Sequence, residues 1–145
     1  MNDISETLLY MAARAKLVSE VIAPALKKGR IVLCDRFLDS TVVYQGYGNG
    51  VDLKMISALG RIVTQRLEPD LTFLLDLPTE EGLRRRGKIR DRIERRSLTY
   101  HSRVRQGYLA LARANPGRIK VIQGQKSKET IQRTIRRFVD SLLNI

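Results

Sequence analysis

The sequence predicts an α/β protein in which helices flank a parallel sheet, and three observations support this class. Short apolar runs at residues 31–34, 71–77 and 119–122 alternate with longer segments whose apolar residues recur at helical spacing. Strands and helices in this alternating order are typical of parallel sheets. Asp35 follows the first run and Asp76 lies near the end of the second, as expected of buried strands whose carboxyl ends face a ligand cleft.

Length and composition indicate one globular domain, residues 1–145, with 43% hydrophobic residues. No apolar run approaches the roughly 18 residues of a membrane span, and the first residues lack a secretory signal pattern, so we expect a cytoplasmic protein without a membrane partner. Cys34 is the only cysteine and His101 the only histidine, which excludes an internal disulfide and a His/Cys metal site. Cys34 lies in an apolar run and is expected to be buried.

The first helix is predicted to begin at a cap near Asn2 and to end at Gly29, with a kink at Pro24. Tyr10 and Arg14 are four residues apart and therefore share one face of this helix. A planar base can lie against the ring while the guanidinium bonds its carbonyl edge. Core packing of the tyrosine and a solvated surface arginine are the alternative explanations.

The stretch from Gly29 to Gly50 combines a predicted strand with groups that suit a phosphate site. Arg36 presents a planar fork of donors to phosphate oxygens, and Asp35 binds a metal, a water on it, or the arginine. Hydroxyl, aromatic, amide and glycine residues come next, namely Ser40, Thr41, Tyr44, Gln45, Gly46, Gly48, Asn49 and Gly50. Such a set suits a planar polar ligand. A local Asp-Arg ion pair beside an ordinary loop is the alternative.

The rest of the chain completes the alternation of helices and strands. A helix capped by Asp52 is predicted to run to about Arg66, and the strand that carries Asp76 follows it. Asp76 is expected either to lie at the edge of the cleft or to accept hydrogen bonds from the backbone N–H groups of the following loop. Two further helices, from Ser97 and from Lys128, flank the third strand.

The segment 84–96 is the most basic part of the chain, with eight Lys and Arg against Asp91 and Glu94. That density exceeds what ion pairs on a helix surface explain. The formal net charge of +12 also indicates polyanionic partners. The segment either closes over a polyphosphate as a lid or grips a nucleic-acid backbone, and Gly87 favours the lid.

Taken together, these motifs resemble those of thymidylate kinases, which phosphorylate dTMP with ATP. The resemblance covers nearly the whole chain and runs in the family's order through LLYMAARAKLVSEVIAPALKKGRIVLCDRFLDSTVVYQGYG, PDLTFLLDL, DRIE and GYLALA. It implies a P-loop-kinase-like fold and a homodimer. It also implies Mg²⁺ with ATP as the phosphoryl donor, and dTDP, made for dTTP biosynthesis, as the product.

The resemblance further implies a role for each candidate side chain. Tyr10 would stack on the thymine, Arg14 would bond its carbonyl edge and Arg36 would hold the dTMP phosphate. Asp35 would organise phosphate and Mg²⁺ through water. The other substrate contacts would be Ser40, Thr41, Tyr44 and Gln45. A lid at about 84–96 would supply Arg86, Lys88, Arg90, Arg92 and Glu94. The catalytic groups would be Asp35, Arg36, Arg86 and Arg90.

The chain departs from the family in one respect, because it contains no phosphate loop of the form G-x-x-x-x-G-K-[ST]. The resemblance is therefore to a truncated kinase that keeps three strands and lacks the first strand and the loop that cradles ATP phosphates. One hypothesis is a dTMP kinase of which this chain is a fragment, or one piece of a split enzyme whose P-loop is on a separate chain, the isolated chain being inactive for want of that loop. The alternative is a non-catalytic nucleotide- or nucleic-acid-binding remnant of a kinase.

Overall fold

A computed structural model describes residues 2–85, 93 and 95–145 of the chain. These residues group into two compact units, Met1–Glu68 and Pro69–Ile145. Each unit has its own secondary structure, helical in the first and mixed in the second. The expectation of a single domain over residues 1–145 stays a prediction.

In its described residues the first unit consists of helices. In chain order they are α1 (Asp3–Leu17), a π-helix named π1 (Val18–Ile22), α2 (Ala23–Lys27), α3 (Leu38–Thr41), a second π-helix named π2 (Val42–Gly48) and α4 (Leu53–Val63). The predicted N-terminal cap is confirmed, because the Asn2 side chain accepts a 2.8 Å hydrogen bond from the Ser5 backbone N–H. Gly29 follows α2 with φ of 67°, the left-handed conformation expected at that helix end.

The core of the first unit forms where α1 and α4 meet. Met11, Val51 and Ile56 are its buried members, and half-buried side chains including Leu38 surround them. A Cβ on Gly60 would lie 2.7 Å from a Leu38 methyl carbon, so this glycine permits the close approach of α4 to α3. Ile62 of α4 is exposed. It lies six residues from Ile56, and that spacing places it on another face of the helix.

The second unit has the alternation of strands and helices that the sequence predicts. Its elements are β1 (Thr72–Asp76), α5 (Thr79–Arg84), α6 (Leu98–Ala114), β2 (Ile119–Gln123) and α7 (Lys128–Leu143). The two strands pair in parallel, in register from Thr72 opposite Ile119 to Asp76 opposite Gln123. This pairing confirms the α/β class and the parallel sheet.

The prediction of a buried strand at Ile31–Cys34 is wrong. No strand is formed there, and the side chains of Ile31 and Leu33 are 71% and 94% exposed. Cys34, expected to be buried, is an exposed residue as well. An apolar run indicates a tendency to burial, but a strand also needs a neighbour for its backbone N–H and C=O groups. Among the described residues the two strands pair with each other and leave none for this segment.

Candidate functional site

Among the described residues of the candidate site, Arg14 is the most deeply buried cation. It lies on α1 with 9% of its surface exposed, and its Nη2 donates a 2.9 Å hydrogen bond to the Thr41 hydroxyl at the end of α3. Its guanidinium carbon lies 5.0 Å from the centre of the Phe37 ring. Burial lowers the pKa of Arg14, while the electrostatic influence of nearby Cys34 and Asp39 acts in the opposite direction. The expectation of a solvated surface arginine is therefore not met.

One donor of this buried arginine is unused. The Nε of Arg14 is buried and has no hydrogen-bond partner among the described residues. An unsatisfied buried donor is costly, because its bonds to water are lost and nothing replaces them. A ligand carbonyl or phosphate oxygen would satisfy it, so the geometry of Arg14 suits a polar ligand that enters beside α1.

Arg36 occupies the turn that precedes α3. Its φ is 65°. Residues other than glycine rarely adopt this conformation, and those that do are concentrated at functional sites. The carbonyl oxygen of Arg36 accepts a 3.5 Å hydrogen bond from the Cys34 thiol. Its guanidinium carbon lies 5.1 Å from the centre of the Tyr44 ring, within the range of a cation–π contact. Asp35 and Arg36 are both exposed residues.

The other predicted binding residues lie on α1, α3 and π2. Thr41 and Gln45 are buried, Ser40 and Tyr44 are half-buried, and Tyr10 is exposed. The structure brings together Arg14 with Thr41, and Arg36 with Tyr44. Gln45 does not extend an unused amide, because its Nε2 donates a 2.9 Å hydrogen bond to Oε1 of Glu6.

Three residues of this neighbourhood were missed by sequence reasoning: Glu6, Phe37 and Asn49. Glu6 had a readable signal, because it precedes Tyr10 and Arg14 at intervals of four and so shares their helix face. Phe37 gave no signal beyond its position next to Arg36. Asn49 was noted only for its turn-forming tendency, whereas its side-chain nitrogen also lies 3.4 Å from Oε1 of Glu6.

The predicted lid falls largely outside the described residues, and this holds for all five of its named side chains: Arg86, Lys88, Arg90, Arg92 and Glu94. The chain that leads into it is well anchored. Glu81 bonds Arg85 and Gln125 at 2.6 Å each, and Arg85 also donates a 3.0 Å hydrogen bond to the carbonyl of Gly124. These contacts fix α5 against the turn after β2.

Asp76, which was expected either at a cleft edge or bonded to loop amides, forms an ion pair with Arg105 of α6. Nε and Nη2 of the guanidinium donate hydrogen bonds of 2.7 and 2.8 Å to the two carboxylate oxygens. The hydrogen bond to Asp76 raises the pKa of Arg105. Asp76 therefore joins β1 to α6.

The acidic groups of the described chain do not form a metal cage. In the parts that the structure covers, no three His, Cys, Asp or Glu side chains lie close enough to hold an ion. Asp35 fits a different arrangement, because Mg²⁺ is commonly bound through one or two carboxylates together with substrate phosphates and waters. Among the described residues, no helix is long and apolar enough to cross a membrane.

A parallel α/β sheet in one unit and cationic side chains around a turn of the other are features of phosphotransferases that handle nucleotides. A family model for thymidylate kinase matches residues 1–135. The chain belongs to the thymidylate kinase family, which confirms the resemblance that the motifs suggested.

Individual relatives agree with this assignment. The chain is 48% identical over 144 residues to the thymidylate kinase of Symbiobacterium thermophilum, covering 99% of this chain and 67% of the relative. It is 54% identical over 126 residues to that of Synechococcus sp. (strain JA-2-3B'a(2-13)), covering 87% and 61%. A crystal structure of thymidylate kinase from Ehrlichia chaffeensis superposes with a TM-score of 0.78 at 29% identity, covering 96% of this chain and 67% of that one. The chain thus spans about two thirds of the length of its relatives.

Proposed function

We propose that this chain carries the dTMP-binding part of a kinase that transfers a phosphoryl group from ATP to dTMP and forms dTDP for dTTP biosynthesis. The observation that carries the proposal is the buried Arg14, held by Thr41 and presenting an unused Nε. Family membership supports thymine as the base that this donor meets. Tyr10 would stack on the ring, and Ser40, Thr41, Tyr44 and Gln45 would complete the substrate contacts.

The phosphate of dTMP would be held at the turn before α3. Arg36 is exposed and its guanidinium lies against Tyr44, so its donors are presented in a defined plane. Asp35 would bind Mg²⁺ indirectly, through a coordinated water. Mg²⁺, when bound together with ATP, would neutralise negative charge on the phosphates. Arg86 and Arg90 are proposed to add positive charge from the lid, with Lys88, Arg92 and Glu94 as its other polar groups.

The donor half of the site is not present in these 145 residues, which contain no G-x-x-x-x-G-K-[ST] sequence. We propose that the ATP-binding loop is contributed by residues outside them, on the same polypeptide or on a separate chain. The chain's own residues would act by positioning the acceptor phosphate for in-line transfer, since phosphoryl transfer depends mainly on alignment and charge neutralisation.

A homodimer in the cytoplasm completes the proposal. Leu9, Leu17 and Val21 are exposed apolar residues that recur at multiples of four on α1 and π1. Such a row is the kind of surface that a second copy covers.

The test is ligand-dependent stability of the chain. A ligand that binds only the folded state raises its Tm, so dTMP should raise the Tm and UMP at the same concentration should not. The control ligand is deoxyribose 5-phosphate, which lacks the base. If it stabilises the chain as much as dTMP does, the site does not read thymine and the proposal fails. Turnover of dTMP and ATP should then require a polypeptide that carries the phosphate loop.

The second candidate function is a non-catalytic nucleic-acid-binding remnant. The second unit holds 18 of the 27 Lys and Arg but only 8 of the 15 Asp and Glu, so the positive charge is concentrated there. This candidate predicts DNA or RNA binding that weakens steeply with salt, together with no phosphoryl transfer when the loop is supplied.

A further inference from the structure

Glu6 is a buried carboxylate that none of the roles above uses. It lies on α1 with 2% of its surface exposed. Its Oε1 accepts a 2.9 Å hydrogen bond from Nε2 of Gln45 and a weaker 3.4 Å contact from Nδ2 of Asn49. Glutamate is rarely buried so completely unless its oxygens are bonded. The network therefore fixes α1 to the segment that carries Gln45 and Asn49.

That segment is the π-helix π2 and the residue after it. Its backbone makes wide turns, with the Asn49 N–H bonded to the carbonyl of Tyr44 and the Val51 N–H to the carbonyl of Gln45. π-helices are rare and occur mostly as single turns near functional sites. A π-helix is less stable than an α-helix, so contacts from other elements are needed to fix the orientation of π2 about its own axis. Glu6 provides two such contacts, one at Gln45 and one four residues later.

The rotation of π2 sets the place of Tyr44, the residue next to Gln45. The Tyr44 ring in turn lies 5.1 Å from the guanidinium carbon of Arg36. Glu6 is therefore connected to Arg36 by a hydrogen bond to Gln45, by the backbone from Gln45 to Tyr44, and by the contact of the Tyr44 ring with the guanidinium. The bond between Arg14 and Thr41 involves neither Glu6 nor Tyr44, and it lies at the N-terminal end of π2.

We propose that Glu6 is a positioning residue for the phosphate half of the site. It touches no substrate and acts by holding π2 so that Tyr44 orients Arg36. The inference rests on the proposed function, since it takes dTMP as the ligand and Arg36 as its phosphate-binding residue. Loss of Glu6 should then reduce what the phosphate adds to binding and leave base binding, which depends on Arg14, nearly intact.

The experiment compares the Kd values of dTMP and thymidine for the full chain, because their ratio isolates the phosphate contribution. In Glu6→Leu, which removes the acceptor oxygen at similar volume, we expect the Kd of dTMP to rise about tenfold and that of thymidine to change by less than about threefold. Glu6→Gln keeps an Oε1 acceptor and should retain the wild-type ratio. The matched control is Glu20→Leu, because Glu20 is a largely exposed residue whose carboxylate lies 3.9 Å from Lys16.

The outcomes separate this inference from the function on which it rests. A wild-type chain that binds neither dTMP nor thymidine overturns the proposed function. The inference is overturned if the wild-type chain binds dTMP more tightly than thymidine but both Kd values rise by the same factor in Glu6→Leu. Glu6 would then be a structural residue. If circular dichroism shows Glu6→Leu to be unfolded, Glu6→Asp, which withdraws the carboxylate by one methylene, is measured by the same criterion.

Discussion

Nη2 of Arg14 donates a 2.9 Å hydrogen bond to Oγ1 of Thr41, which lies 27 positions further along the chain. This bond links α1 to the end of α3 and fixes the guanidinium in a buried place. The direction of the unused Nε is thereby fixed as well. A fixed, desolvated donor binds a ligand oxygen more strongly than a solvated one, since no bond to water has to be broken.

Arg14→Met should weaken dTMP binding about ten- to a hundredfold, because a hydrogen bond to a charged group is lost while the apolar stem is kept. Isothermal titration of the variant measures the loss. Arg61→Met is the matched control, since Arg61 is an exposed arginine of α4. Equal dTMP affinities of Arg14→Met and the wild type would show that Arg14 does not meet the base.

Thr41→Val tests the same bond from its acceptor side. Valine has nearly the shape of threonine but cannot accept the bond, so Nη2 of Arg14 would be left buried without its partner. We expect the free energy of unfolding to fall by about 1–3 kcal/mol, as measured by chemical denaturation. Thr134→Val, at a half-buried threonine of α7 whose hydroxyl donates an exposed hydrogen bond to the carbonyl of Thr130, is the control and should change stability by less than about 0.5 kcal/mol. Equal effects of the two substitutions would contradict the importance of the buried bond.

The ion pair between Asp76 and Arg105 should contribute little to stability. The two side chains are 22% and 39% exposed, and solvent screening limits such pairs to about 1 kcal/mol or less. The pKa of Arg105 is raised, so its stabilisation is fully present below the ordinary arginine pKa and is lost only as the pH rises beyond it. Arg105→Met should therefore lower the free energy of unfolding by a small amount that stays constant between about pH 7 and pH 9. A loss that changes across this range would assign the effect to another group.

The sequence predicts the helices and the second and third strands well because their signals are local. Asn2, Ser97 and Ser127 each accept a hydrogen bond at the start of a helix, as capping residues do. Apolar residues at helical spacing then give the length of each helix. Both strands that pair in the structure, β1 and β2, lie in runs that the sequence marks as strands.

The strand prediction for Ile31–Cys34 failed because strand formation depends on a neighbouring strand and not only on the residues of the segment. Its pattern is that of a buried strand, yet Leu33 is exposed. The two π-helices were not predicted either, since no sequence rule marks them. Within the candidate site, Tyr10, Arg14 and Arg36 were predicted from spacing and charge. The bond between Glu6 and Gln45 joins residues 39 apart and so left no local signal.

Exposure of Cys34 gives a direct chemical test of this region. The thiol of a folded chain should react with a disulfide reagent such as 5,5′-dithiobis(2-nitrobenzoate) at a rate close to that of the denatured chain, because Cys34 is an exposed residue. The sulfur lies 3.5 Å from the carbonyl oxygen of Arg36, so dTMP bound at Arg36 should slow the reaction and UMP should not. Cys34→Ser, which removes the only cysteine, is the blank. A thiol that reacts only after denaturant is added would show that the segment is buried as a strand, as its sequence pattern first indicated.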